Sequence, residues 1–391
     1  MQEVVIASAV RTPIGRFGGS LAEVTAPELG AVAIRAAVQR AGVRSEDVDD
    51  VVIGCVGQYG EDAYIARHCA IKAGLPIEVP AYAVNRLCGS GLQALNSAVQ
   101  AILAGNAGVV VAGGVESMSR FPYLLRKARN GYRMGDGVLQ DGLTTALSDP
   151  FTACHMGVTA ENLVDRYGVT REEQDAFALE SQRRALAAIG EGRFSEQIVP
   201  VPVPQPKGEP TLFARDEHPR ETSLERLAKL GPAFKGNGSV TAGNSSGIND
   251  AAAAMVVASA SRAREWGVQP RLRVCAQAVA GVPPEIMGIG PVPAVRRVLE
   301  RSGVRLQDIE VIELNEAFAG QALSVMRELD LDPEKVNPNG GAIALGHPVG
   351  ATGSILVAKL LAELERRQAR YGLVTLCIGG GQGIATLFER V

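Results

Sequence analysis

The chain of 391 residues is long enough for two or three domains. Hydrophobic residues make up 46% and charged residues 21%, a balance that excludes a disordered, coiled-coil or collagen-like chain. With 39 basic against 42 acidic side chains, a net of −3, it lacks the cationic excess of a general nucleic-acid binder, and no apolar run reaches the roughly 18 residues that span a bilayer.

Residues 1–6 (MQEVVI) place no basic leader before their apolar run and read as a first strand rather than a signal peptide. After Pro27, the spacing of Leu29, Val32, Ala33, Ala36 and Ala37 predicts a helix that Gly42 stops. A short buried strand at 51–53 follows, ending at Gly54. An extended stretch ending at Asn85 leads into Cys88-Gly89-Ser90-Gly91. The next helix carries Leu92, Leu95, Val99 and Ile102 on one face, and a strand at 109–112 ends in Gly113-Gly114.

The texture changes between 119 and about 247. A basic run at 120–133 suits a solvated loop, a polyanionic small substrate or a subunit contact. A helix is predicted over 171–188, opened by a Thr170/Glu173 capping box, before a proline-rich connector at 199–206. Then the opening pattern recurs. RAGVRSEDVD at 40–49 matches RSGVRLQDIE at 301–310, five of ten identical at an offset of 261. Asn339-Gly340-Gly341 leads to Gly346-His347-Pro348, a helix with Val357, Leu360, Leu361 and Leu364 on one face, and a strand at 373–378 ending in three glycines. This ordered series predicts two related α/β halves, the first interrupted by an insertion.

Glycine is abundant at 45 residues and aromatics are scarce at 4%, which fits tight turns and close backbone approaches. Six cysteines (55, 69, 88, 154, 275, 377) form no CxxC pair, so reduced thiols in a cytoplasmic compartment are expected. Cys88 lies between a strand and a helix start, where unsatisfied N–H groups and the macrodipole favour a thiolate; an inert buried cysteine is the equal alternative. His347 precedes a proline suited to a first helical position, so it is expected at a helix start, as a proton acceptor or as a turn cap. Cys377 closes the last strand, as a reagent or a core side chain. All three fall at strand ends or helix starts, where α/β proteins place their sites. Asn315-Glu316 is a polar pair at a strand exit, either a turn-maker or part of a site, with Glu316 able to cap the next helix.

A rival pattern exists. Residues 243–247 fit G-x-S-x-G around Ser245, and Asp308 and His347 follow in the order of an α/β-hydrolase triad. A dinucleotide fingerprint is missing, and the adjacent Cys154-His155 has poor metal-ligand spacing, so no metal is expected.

Four blocks in order resemble the thiolase family: Asn85-Arg86-Leu87-Cys88-Gly89-Ser90-Gly91, Asn315-Glu316-Ala317-Phe318-Ala319, the run at 337–348 (NPNGGAIALGHP), and Cys377-Ile378-Gly379-Gly380-Gly381-Gln382-Gly383. Arg11-Thr12-Pro13 and Val240-Thr241-Ala242-Gly243-Asn244 extend the resemblance over the whole chain. It implies an α/β thiolase fold: duplicated βαβαβαββ halves in five layers, α-β-α-β-α, with an inserted loop domain. The N-terminal domain would be 1–267 (core 1–118 and 248–267, loop domain 119–247) and the C-terminal domain 268–391, in a homotetramer built as a dimer of dimers.

The resemblance also implies roles. Cys88 would be acylated and Cys377 would move the α-proton. His347 and Asn315 would build one oxyanion hole, and the N–H groups of Cys88 and Gly379 the other. Ser246, His155, Met156, Met287, Phe234 and Phe318 would hold the CoA and acyl groups. Coenzyme A and acyl-CoA would be substrates, with no further cofactor and no membrane or nucleic-acid partner. His155-Met156-Gly157 resembles the short-chain branch that condenses two acetyl-CoA to acetoacetyl-CoA and CoA through acyl-Cys88. Residues 57–62 (GQYGED) and 216–220 (DEHPR) resemble degradative 3-oxoacyl-CoA or 3-oxoadipyl-CoA thiolases. A serine hydrolase using Ser245 and a non-catalytic acyl-CoA-binding relative are the alternatives.

Overall fold

The computed structural model describes residues 2–205 and 207–391, so Met1 of the first expected strand and Pro206 of the connector lie outside the described residues. The first half runs β1 (Val4–Arg11), α1 (Ala26–Ala41), β2 (Asp50–Gly54), α2 (Ile65–Ala73), β3 (Ala81–Val84), α3 (Ser90–Leu103) and β4 (Val109–Ser117). The chain then leaves the sheet for α4 (Met156–Tyr167) and α5 (Arg171–Gly190) and returns as β5 (Asn249–Ser259). The second half follows as β6 (Leu272–Gly281), α6 (Pro291–Ser302), β7 (Val311–Leu314), α7 (Ala319–Leu329), α8 (Thr352–Arg367), β8 (Tyr371–Ile378) and β9 (Gln382–Arg390).

Local chemistry sets these boundaries. The Glu28 carboxylate accepts from Thr25 N–H at 2.9 Å to open α1, and Gly42 closes it with φ +68°. The expected capping box opens α5: Thr170 Oγ1 accepts from Glu173 N–H at 3.2 Å, and Glu173 Oε2 from Thr170 N–H at 2.7 Å. The duplication persists in side-chain detail. Arg44 pairs with Asp47 at 2.7 Å and Arg305 with Asp308 at 2.6 Å, in equivalent turns.

In the first half the strand order is β3-β2-β4-β5-β1, and in the second β6-β9-β8-β7. β1 and β6 join the two through Val5↔Arg273 and Ile6↔Leu272 alone. Three apolar clusters divide the layers. One packs α1 and α2 on the outer face of the first sheet, and another packs α6 and α7 on the outer face of the second. Between the sheets, α3 and α8 fill a third with Leu92, Leu95, Leu356 and Leu360. The resulting order is α-β-α-β-α, as the resemblance implies. One unit departs from a strict duplication: the third strand of the second half is reduced to a single bridge, Ile312↔Val336.

Two expectations need correction. The strand placed at 109–112 continues through Gly113 and Gly114 to Ser117. These glycines do not end it; a Cβ on Gly114 would lie 2.3 Å from Gly350 O, so glycine is there to admit the other half. His347 does not sit at a helix start either. It lies in a loop after the short helix Ala342–Leu345, and α8 begins only at Thr352.

The central seam yields a stability test. A Cβ on Gly353 would fall 2.3 Å from Leu92 N, in backbone that cannot move aside. Gly353→Ala is expected to lose about 3 kcal/mol, the upper end of overpacking, as a lower urea midpoint by near-UV circular dichroism. Gly190→Ala has no neighbour within 4 Å and serves as the control. Equal midpoints for the two variants would contradict the packing described.

Candidate active site

The turn before α3 presents Cys88. Leu87 is held at φ +46°, a strained conformation for leucine. Asn85 Oδ1 accepts from Leu87 N–H at 3.0 Å, and Ser90 Oγ donates to Leu87 O at 2.7 Å while accepting from Arg86 N–H at 2.9 Å. Half-buried Cys88 follows, with Gly89 as the N-cap of α3. Burial pushes its thiol up to about 11, although the Gly379 N–H points back at the sulfur and opposes the rise. Desolvation therefore outweighs the helix start, and at neutral pH the resting group is a thiol.

His347 lines the same cavity as that thiol. Its backbone N–H donates to Asn249 Oδ1 at 3.0 Å, and Nδ1 lies 2.7 Å from Thr352 Oγ1. The Thr352 hydroxyl donates to Pro348 O at 2.9 Å, an atom that can only accept, so Oγ1 receives the Nδ1 proton. Nε2 is left with its lone pair, 3.4 Å from Asn315 Nδ2. Burial pulls the imidazole down to about 4, so it is neutral near pH 7 and able to take a proton. Asn249 and Thr352 were not legible as site residues. Thr352 reads only as a helix-start hydroxyl, and Asn249 reaches His347 from 98 positions away.

Cys377 is the penultimate residue of β8, which β9 follows as the last strand, and its full burial drives the thiol well above the usual range, with Cys88 nearby adding to the rise. Asn315 follows β7, and its Oδ1 is buried without a protein partner, which suits it to hold a water. Glu316 does not cap the next helix. Its carboxylate accepts from Ser181 Oγ at 2.7 Å, Asn337 Nδ2 at 2.8 Å and Ile343 N–H at 3.2 Å, fixing the Asn315 segment against α5.

These groups meet at a cavity of about 190 Å³. Cys88, His347 and Cys377 line it together with Ser246, His155, Met156, Met287, Phe234 and Phe318. His155 caps α4 through Nδ1, which accepts from Gly157 N–H at 3.1 Å. Its ring stacks on Phe234 at 4.7 Å, and Phe234 meets Phe318 edge-on at 5.8 Å. A second, apolar void of about 20 Å³ adjoins Cys88 between Leu87, Phe121, Leu143 and Leu147. Of the remaining expected residues, Gly379 lines this void and Asn315 stands behind His347. Among the described residues no three His, Cys, Asp or Glu side chains converge as a metal site requires.

The rival serine lines the same cavity but lacks a triad. Ser245 Oγ donates to Thr241 O at 2.6 Å, Asp308 pairs with Arg305 on the surface, and His347 Nδ1 is taken by Thr352. The 216–220 stretch does not line the cavity: Asp216 receives a bidentate pair from Arg11 at 2.7 and 2.8 Å, Glu217 accepts from Arg16 N–H, and His218 Nδ1 lies 3.4 Å from Asn249 Nδ2. The basic run lies on an exposed arm beside exposed Met134, Val138 and Leu139.

Family models described as "Thiolase, N-terminal domain" and "Thiolase, C-terminal domain" match residues 4–261 and 268–390. An acetyl-CoA acetyltransferase of Pseudomonas aeruginosa is 53% identical, with both chains covered in full. The beta-ketothiolase BktB of Cupriavidus necator is 54% identical, again with 100% of each chain covered. Among solved structures, human mitochondrial 3-ketoacyl-CoA thiolase in complex with CoA superimposes with a TM-score of 0.96 at 44% identity, covering 100% of this chain and 98% of that one.

Proposed function

The chain belongs to the thiolase family, and from that premise we propose that it is an acetyl-CoA C-acetyltransferase that joins two acetyl-CoA into acetoacetyl-CoA plus CoA and runs the reverse thiolysis over the same site. The observation that carries this reading is the convergence of Cys88, His347 and Cys377 on one cavity. Cys88 attacks the thioester carbonyl as its proton passes to His347 Nε2. The Gly379 and Cys88 N–H groups stabilise the oxyanion. CoA leaves as a thiolate and takes the proton of Cys377, giving acetyl-Cys88, a Cys377 thiolate and a protonated His347. A second acetyl-CoA then gives its α-proton to the Cys377 thiolate. The enolate oxygen is met by His347 and by a water on Asn315, and the α-carbon attacks acetyl-Cys88. The departing Cys88 sulfur recovers the proton of His347, so every group returns to its starting state.

The void beside Cys88 supports a short acyl group, because about 20 Å³ admits little more than a methyl. It is lined by no charged side chain that could pair with the distal carboxylate of 3-oxoadipyl-CoA. The same small volume counts against the 3-oxoacyl-CoA reading for acyl groups longer than acetyl. Thiolysis of acetoacetyl-CoA is expected to exceed that of 3-oxohexanoyl-CoA by about tenfold and that of 3-oxoadipyl-CoA by about a hundredfold. A fastest rate with 3-oxoadipyl-CoA would overturn the assignment.

The homotetramer is proposed on the exposed arm, whose Met134, Val138 and Leu139 offer apolar surface beside arginines. The six free cysteines favour a reducing cytoplasm. CoA thioesters supply all the chemistry above, so no further cofactor is invoked. The division at 119–247 and 267/268 is proposed on the excursion between β4 and β5 and on the separate β6–β9 half.

A further inference from the structure

Glu116, near the end of β4, is a buried carboxylate that none of these steps uses, and it stands where the two halves meet. Its Oε2 accepts from Gly350 N–H at 2.8 Å and Val56 N–H at 3.0 Å, and its Oε1 from Gly57 N–H at 2.9 Å. Val56 and Gly57 follow β2 of the first half. Gly350 belongs to the second half, three positions past His347, and Val349 between them packs in one apolar cluster with Val56 and Cys88. One carboxylate thus ties the loop bearing His347 to the wall bearing Cys88. Three N–H donors on two oxygens suit an anion, and an amide in its place would turn an NH₂ against at least one of them.

We propose that Glu116 is a positioning residue of the thiolase reaction: as a carboxylate it holds the 347–350 loop so that His347 Nε2 stays aligned with the Cys88 sulfur. The assignment rests on the roles proposed above for Cys88 and His347, and Glu116 itself touches no reacting atom. Cys55 lies 3.7 Å away, and Tyr59, Asp62 and Arg120 line the small cavity on its other side. Burial raises Glu116 to about 7 against the pull of its N–H donors. Because the anion is the working form, its contribution is present above that value and is lost as the pH falls through it. His347, held near 4, titrates well below this window.

Glu116→Gln is expected to lower kcat for acetoacetyl-CoA thiolysis about 30-fold with KM changed less than about threefold. The ratio of wild-type to variant kcat should shrink toward one between pH 8 and pH 6. A variant within twofold of wild type, a loss carried by KM, or a ratio independent of pH would overturn the proposal. If the variant does not fold, single-turnover acetylation of wild-type Cys88 decides: an acid limb centred near 7 supports it, and a flat rate from pH 6 to 8 defeats it. If wild type turns over no acyl-CoA, the functional reading fails separately. Alkylation of Cys88 by iodoacetamide then still tests Glu116, with a rate at least about fivefold slower expected in the variant and an unchanged rate counting against it.

Discussion

Replacing Cys88 with alanine is expected to reduce acetoacetyl-CoA thiolysis by about 10⁴-fold or more, while CoA affinity stays within about threefold of wild type. The size follows from the site. A sulfur with its pKa raised to about 11 is a poor nucleophile at rest, and in the proposed mechanism its use depends on handing a proton to a neutral His347 during attack. No nearby side chain can stand in. Ser245 is committed to Thr241 O, and Cys377 is more deeply buried and still harder to ionise. CoA should still bind, because Met287, Phe234 and Ser246 line the cavity independently of Cys88. Mass spectrometry after brief exposure to acetyl-CoA should find a gain of about 42 Da, an acetyl group in place of the thiol hydrogen, on the Cys88 peptide of wild type and no acyl adduct on the variant. Thiolysis surviving in Cys88→Ala, or an acetyl group on Ser245, would sink the mechanism.

That prediction draws on features the sequence carries and on others it conceals. Periodicity was enough for α1, α3 and α8, because each buries one face in a continuous apolar layer. The repeat at offset 261 gave the doubled architecture, since both copies fold through the same turn with the same Arg–Asp pair. Glycine was the ambiguous letter. At Gly42 it ends a helix through a left-handed residue; at Gly114 it admits the backbone of the other half inside a strand. Only long-range packing separates those uses. The same limit hid Asn249 and Thr352. His347 was visible as a candidate, yet the atoms that fix its tautomer come from β5 and from the start of α8. The helix start at Cys88 misleads for a related reason: the sequence reveals the favourable dipole but not the burial that exceeds it.

Cys377→Ala should separate the two halves of the reaction. In the proposed mechanism acylation of Cys88 needs the sulfur, His347 and the N–H groups of Cys88 and Gly379, none of which the substitution removes. The leaving CoA thiolate loses Cys377 as its proton donor, but protonated His347 can supply that proton, so a single turnover with acetyl-CoA should still acetylate Cys88 within about tenfold of the wild-type rate. The carbon–carbon step is different. An α-proton beside a thioester needs a base within reach, and His347 is then either neutral, with a pKa near 4, or directed at the enolate oxygen. Condensation should fall by about 10³-fold or more, and acetyl-Cys88 should accumulate. His347→Ala must behave otherwise, losing acetylation as well, because the Cys88 proton then has no acceptor. Equal loss of acetylation in both variants would show that His347 cannot replace Cys377 as proton donor in the first half-reaction, and rapid condensation by Cys377→Ala would remove Cys377 from the chemistry altogether.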